Sequence, residues 1–182
     1  MDSQQNQGAD IRGKVKDDES LLKKIQLIVP GFRGYRQKED VRIADELLRS
    51  EIGKIIDSAI SNVTEARQNA INFNKFATLN FLSNSISLLQ TMRGDIVHGE
   101  QGYSGYTAPI KVSDDVLNKI YEYDYDFVSK CKQIRDLSGS LENIGSMSDN
   151  DILKDLENVN TLINDAKQVW NTRIETVEGI KE

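Results

Sequence analysis

The only histidine of the chain, His98, opens the stretch whose residue types are best suited to chemistry. The segment His98-Gly99-Glu100-Gln101-Gly102-Tyr103-Ser104-Gly105-Tyr106-Thr107-Ala108-Pro109 gathers three glycines, two tyrosines and one of the two prolines into twelve residues. Imidazole titrates near neutrality, a serine hydroxyl both donates and accepts, and tyrosine presents a flat apolar ring with a polar tip. His98, Tyr103, Ser104 and Tyr106 are therefore candidates to line a small-ligand site. No acid–histidine–serine spacing accompanies them, and a histidine at the end of a helix commonly serves the helix dipole. The Gly/Tyr loop reads first as a specific backbone shape, for which glycine is suited, and second as a ligand site. No catalytic residue is assigned.

A second constellation is Gly31-Phe32-Arg33-Gly34-Tyr35-Arg36-Gln37-Lys38. It places Arg33, Arg36 and Lys38 at the expected start of a long helix, where free N–H groups, the dipole and the cations all favour an anion. It is no Walker loop, because Lys-Ser/Thr does not follow and no clear strand precedes it. Solvated surface, or a clamp on a carboxylate of the same chain, are the plainer uses.

Metal and redox chemistry have little to work with. One histidine and one cysteine, Cys131, cannot make an ordinary zinc site, and a lone cysteine forms no internal disulfide. Cys131 falls on an apolar stripe and reads as a small buried thiol. No metal and no cofactor is expected. The chain has 182 residues and a net charge of −6, and no apolar run reaches the roughly 18 residues needed to span a bilayer. Its start, MDSQQNQGAD, is polar and acidic where a secretion signal would be basic and then apolar. A cytoplasmic location follows as an expectation.

The charge is unevenly placed. From Arg12 to Lys38 eight basic residues face three acidic ones, a net of +5, whereas residues 39–182 carry 15 basic and 24 acidic residues, a net of −9. Such a basic arm suits an anionic surface or folds back onto the acidic body or another copy. The acidic body would repel a polyanion, which argues against nucleic acid.

The elements that must position these residues are almost entirely helical. Residues 1–17 lack apolar periodicity and are expected to form a disordered tail ahead of a single domain, 18–182. Leu21 to Val29, ended by Pro30-Gly31, is a short apolar element that fits a helix or a strand. Ile43, Leu47, Leu48, Ile52, Ile55, Ile56, Ala59, Ile60, Val63, Ala66 and Ala70 then recur at threes and fours on one face of a long helix. Phe76, Leu79, Leu82, Ile86, Leu89 and Met92 form a stripe out of phase with it. The slip falls at Asn72-Phe73-Asn74, where a tight turn is preferred over a stutter in one continuous helix across 37–96. A third stripe is Leu117, Ile120, Asp124, Phe127, Cys131, Ile134 and Leu141. A fourth, opened by the cap Ser148-Asp149-Asn150-Asp151, is Ile152, Leu156, Val159, Ile163, Ala166, Trp170, Arg173 and Val177.

Threes and fours in alternation are the spacings of a bundle or coiled coil. The expected fold is all-α, an up-down antiparallel helical bundle of three or four long helices with a short N-terminal apolar element and the Gly/Tyr-rich loop. The first long helix outreaches the second, leaving a length of apolar stripe for the N-terminal segment or a second subunit. Two charges sit on stripes, Asp124 and Arg173, and antiparallel pairing through the turn at Gly145 to Met147 brings them within one helical turn. They are expected to form a structural ion pair that supports the Gly/Tyr loop, with Arg93 a second candidate partner for Asp124.

The segments at 30–39, with Gly-Tyr-Arg-Gln-Lys-Glu, at 102–106, with Gly-Tyr-Ser-Gly-Tyr, and at 117–124, with Tyr-Glu-Tyr-Asp, carry a resemblance. The chain resembles a family of small, acidic, helical prokaryotic proteins that share a G-Y-x-x-K-E helix opening and a G-Y-S-G-aromatic loop. The resemblance covers most of the chain from Pro30 and implies no particular activity. The expected function is that of a non-enzymatic helical interaction or scaffold protein, working through a protein partner or a homo-oligomer. The alternative is a small-ligand or anion-binding module, with an enzyme as one form of it, centred on residues 98–109 and 31–38.

Overall fold

A computed structural model describes residues 21–32, 38–99 and 114–178. The fold is all-α. A short helix α1 (residues 21–28) precedes four long ones, α2 (Lys38–Asn72), α3 (Leu79–His98), α4 (Asp114–Ser140) and α5 (Asp149–Glu178). Short 3-10 turns, Phe76–Thr78 and Leu141–Ser146, carry the chain from α2 to α3 and from α4 to α5. The ambiguous apolar element before Pro30 is thus a fifth, short helix. None of the described helices is long and apolar enough to cross a membrane.

The break between α2 and α3 has local causes. The Lys75 N–H donates to the Ala70 carbonyl at 2.7 Å, Asn74 takes a left-handed φ of 58°, and the Thr78 hydroxyl donates to the Lys75 carbonyl at 2.8 Å. Asparagine tolerates that conformation better than any other side chain of similar size, so a helix carrying Asn at this point reverses there. At the other reversal, Ser148 Oγ accepts the Asp151 N–H at 3.2 Å and donates to Asp151 Oδ2 at 2.7 Å, capping α5.

Cross-links between helices give the directions. Asp57 meets Arg93 and Ser83 meets Arg67, so α2 and α3 run antiparallel; Asp124 meets Arg173, so α4 and α5 do too. Asn62 reaches the Arg135 carbonyl, and Ser85 and Asp95 reach Asn160 and Lys167, so α2 lies parallel to α4 and α3 parallel to α5. The order around the bundle is α2, α3, α5, α4, which puts α3 and α4 on opposite corners. The end of α3 and the start of α4 therefore lie at opposite corners of the same end of the bundle.

Each helix turns a strict alternation of three and four residues toward the centre, and its members are buried. In α5 these are Ile152, Leu156, Val159, Ile163, Ala166, Trp170 and Arg173; in α4, Ile120, Asp124, Phe127, Cys131, Ile134 and Ser138, continued by Leu141 in the 3-10 turn that follows. In the α2 stripe Leu48, Ile52, Ile55, Ile56, Ala59, Val63, Ala66 and Ala70 are buried and Leu47 and Ile60 partly so, and among its described residues no exposed length is left for a second subunit. α4 and α5 run far enough to cover what α3 leaves, and α1 buries Ile25, with Val29 just past its end also buried and Phe32 edge-on to Tyr121 at 6.5 Å.

Burial pushes the Cys131 thiol well above its ordinary range. The native protein should resist alkylation at pH 8 and react only once unfolded, which iodoacetamide labelling with and without denaturant reads directly. The sign follows: the folded state holds this proton more tightly, so its contribution to stability is complete below pH 9.0, the ordinary value, and declines above it.

Candidate functional site

Two features stand out, one at each end of the bundle. At the end near α1, charges occupy the central seam. In α2 the alternation Asp45, Arg49, Ile52, Ile56, Ala59 and Val63 places an acid and a base in core positions, joined there by Asp124 of α4 and Arg173 of α5. Their side chains are at most 6 % exposed. Arg49 Nε donates to Asp45 Oδ2 at 2.7 Å, and Arg173 Nε donates to Asp124 Oδ1 at 2.5 Å. Arg173 Nη2 lies 2.8 Å from Asp45 Oδ1, an ion-pair distance whose angle is not that of a hydrogen bond. Among the described residues two acids and two bases face one another here, which is what makes their burial tolerable.

This layer also holds the end of α3. Arg49 Nη1 donates to the Ile96 carbonyl at 2.6 Å and points toward that of Gly99 at 3.5 Å, supplying a donor to carbonyls that a helix C-terminus leaves open. A Cβ on Gly99 would come within 2.2 Å of the Asp95 carbonyl, so the exit from α3 requires glycine. Both guanidinium groups pack on the ring of Trp170, at 4.7 Å for Arg49 and 5.0 Å for Arg173, and Phe127 packs on it at 4.9 Å. The Trp170 indole N–H is buried without a hydrogen-bond partner, beside a narrow cleft lined by Met92, Asp95, Ile96, Lys167 and Asn171.

The candidate loop and anion residues relate to this end unevenly. His98 is exposed in the last turn of α3. Tyr103, Ser104, Tyr106, Arg33 and Arg36 lie outside the described residues, as does the 1–17 tail, and of Lys38 only its place at the start of α2 is described. The segments holding them are bracketed by Gly99 and Asp114 and by Phe32 and Lys38, all at the charged end. Asp124 and Arg173 are brought together. Arg93 is not a partner of Asp124. It pairs with Asp57 at 2.5 and 3.0 Å, because α3 sits diagonally across from α4 and beside α2; that carboxylate raises the Arg93 pKa further.

The opposite end carries the second feature, a group of exposed apolar side chains at the α2–α3 reversal. Ile71, Phe73, Phe76 and Phe81 are 39 %, 56 %, 59 % and 52 % exposed. Phe76 was expected in the core stripe, but it falls in the 3-10 turn before α3 begins, where the helical phase does not yet apply. The tip is held firmly. Lys75 Nζ donates to the Met147 carbonyl at 2.7 Å and pairs with Asp149 at 3.2 Å, tying the α2–α3 reversal to the α4–α5 reversal. Phe73 lies over Gly145, where any Cβ would meet its ring within 2.7 Å. Replacing Gly145 with valine should therefore push the Phe73 ring outward and destabilise the reversal by about 1–3 kcal/mol, measurable by urea titration.

Among the described residues no cluster of three metal-ligating side chains occurs. Comparison with protein-family models, with curated proteins and with solved structures finds no match to this chain.

Proposed function

We propose that this chain is a non-enzymatic helical interaction or scaffold protein that works through protein–protein contacts made by the aromatic tip of the α2–α3 reversal. The observation that carries this reading is the exposure of Phe73, Phe76 and Phe81 on a reversal fixed in place by Lys75 and Gly145. A phenylalanine can bury roughly 150–250 Å². Three of them about half exposed leave roughly 300 Å² of aromatic surface open at this reversal. Rigid aromatic groups with little ordering entropy to lose are favoured anchors for a partner. The buried charges support the same reading, being engaged with one another and with α3, an arrangement that fixes helix register. A reducing cytoplasmic setting suits the lone buried thiol.

The test is a photo-crosslinker, benzoylphenylalanine, placed at position 76 in cells that make the protein, with position 27 as control because Leu27 is 86 % exposed on α1. A discrete protein adduct at 76 and none at 27 is expected. Equal, diffuse labelling at the two positions would overturn the reading.

A second reading, a small-ligand or anion site at the charged end, is favoured by the unpartnered indole N–H of Trp170. Trp170 is the only tryptophan, so its emission reports on that end alone. Under the leading reading, titration with inorganic phosphate leaves the emission unchanged. A saturable shift would favour the second.

A further inference from the structure

We propose that the partner at the aromatic tip is a second copy of this chain, docked about a two-fold axis through the uncharged outer face of α3. This rests on the interaction reading above and names its partner.

The first observation is a charge gap. Residues 76–92 are seventeen consecutive residues without Asp, Glu, Lys or Arg, the longest such run in a chain that is 29 % charged. The gap is not explained by burial. Asn80, Phe81, Asn84, Ser87, Gln90 and Thr91 are all exposed, at the threes and fours that put them on one side of α3. Depletion of charge beside exposed aromatic side chains is the compositional mark of an interface core.

The second observation concerns what such a face can meet. A two-fold interface must be complementary to itself, since each residue near the axis meets its own copy or a close neighbour. A charged side chain there meets its like. Asparagine, glutamine, serine and threonine each carry donor and acceptor together, so two copies of this face can satisfy one another with no charged partner. The chain as a whole carries −6, and this face is where two copies approach without opposing charges. Charges at its borders are engaged within the chain, Arg93 with Asp57, Lys167 with Asp95, Lys75 with Asp149, and Arg67 through its Nε on the Ser83 hydroxyl at 2.9 Å.

The size fits a modest dimer. α3 is about 30 Å long. With a width of about 10 Å plus the phenylalanine tip, the face offers roughly 600 Å² per copy, somewhat below the ~800 Å² of a standard interface. Micromolar association is the expected range.

Sedimentation equilibrium of the full chain from about 1 to 300 µM reads this directly. The wild type should pass from monomer to dimer in that range. Phe81→Glu and, separately, Asn84→Asp should each weaken the dimer at least tenfold, circular dichroism confirming the helices; both positions are exposed, so neither change disturbs the core. Added sodium chloride should leave the dimer intact or strengthen it, because the contact is uncharged and the copies repel. A monomer throughout, a dimer indifferent to both substitutions, or a dimer dissolved by salt would each overturn the proposal. A monomer whose position 76 crosslinks a different protein would remove the second copy and leave the interaction reading standing; a monomer with no adduct would remove both.

Discussion

Arg173→Ala is expected to lower the unfolding free energy by about 3–5 kcal/mol, because it removes the guanidinium that Asp45 and Asp124 share in the buried seam. For a chain of this size each kcal/mol moves the melting temperature by roughly 2–4 °C, so a fall on the order of 10 °C is anticipated by calorimetry. The loss is not the worth of the ion pair itself. It is the cost of taking a guanidinium away from two carboxylates at 0 % exposure, together with the packing of a long side chain on Trp170. The double variant Asp124→Leu with Arg173→Met separates these contributions. It leaves Asp45 and Arg49 as a balanced pair and restores apolar volume, so it should recover most of the stability. If the double variant is as unstable as Arg173→Ala, the charge balance is not what holds this layer.

Arg49→Ala is expected to cost about 3 kcal/mol and to do so unevenly. The side chain ties Asp45 to the Ile96 carbonyl, so its removal loosens the last turn of α3 as well as the seam. Hydrogen exchange should accelerate at the amides of Ile96 to Gly99 more than at Ile163 in the middle of α5. Arg49→Lys should recover only part of this, since an ammonium has no planar fork to serve a carboxylate and a carbonyl together. Uniform acceleration along all helices would mean that Arg49 contributes to global stability and does not specifically hold the α3 exit.

The all-α class, the reversal after Asn72, the capped start of α5 and the meeting of Asp124 with Arg173 were legible because each depends on local pattern. The spacing of apolar residues gives the face that a helix buries, and caps and left-handed asparagine give its ends. What spacing does not give is which helix lies beside which. The placement of α3 diagonally from α4 is a property of the whole bundle, and it alone redirects Arg93 from Asp124 to Asp57. Asp45 and Arg49 were missed for a different reason. They sit in phase with Ile52, Ile56 and Ala59, but a stripe traced through apolar residues passes over charges that share it. The signal was present, as four residues then three from Asp45 to Arg49 to Ile52. Phe76 was read as core because an aromatic side chain in phase with a stripe looks buried until the exact start of the helix is known, and the exposure of Phe73 in the turn and of Phe81 beside the stripe has no signature in spacing.

The most direct test of an interaction role for the tip is hydroxyl-radical footprinting, comparing the dilute purified protein with the protein inside the cells that make it. Phe73, Phe76 and Phe81 should be readily oxidised in the dilute protein and protected in cells, with Leu27, exposed on α1, oxidised alike in the two. Equal oxidation of the three phenylalanines in dilute protein and in cells would contradict the account.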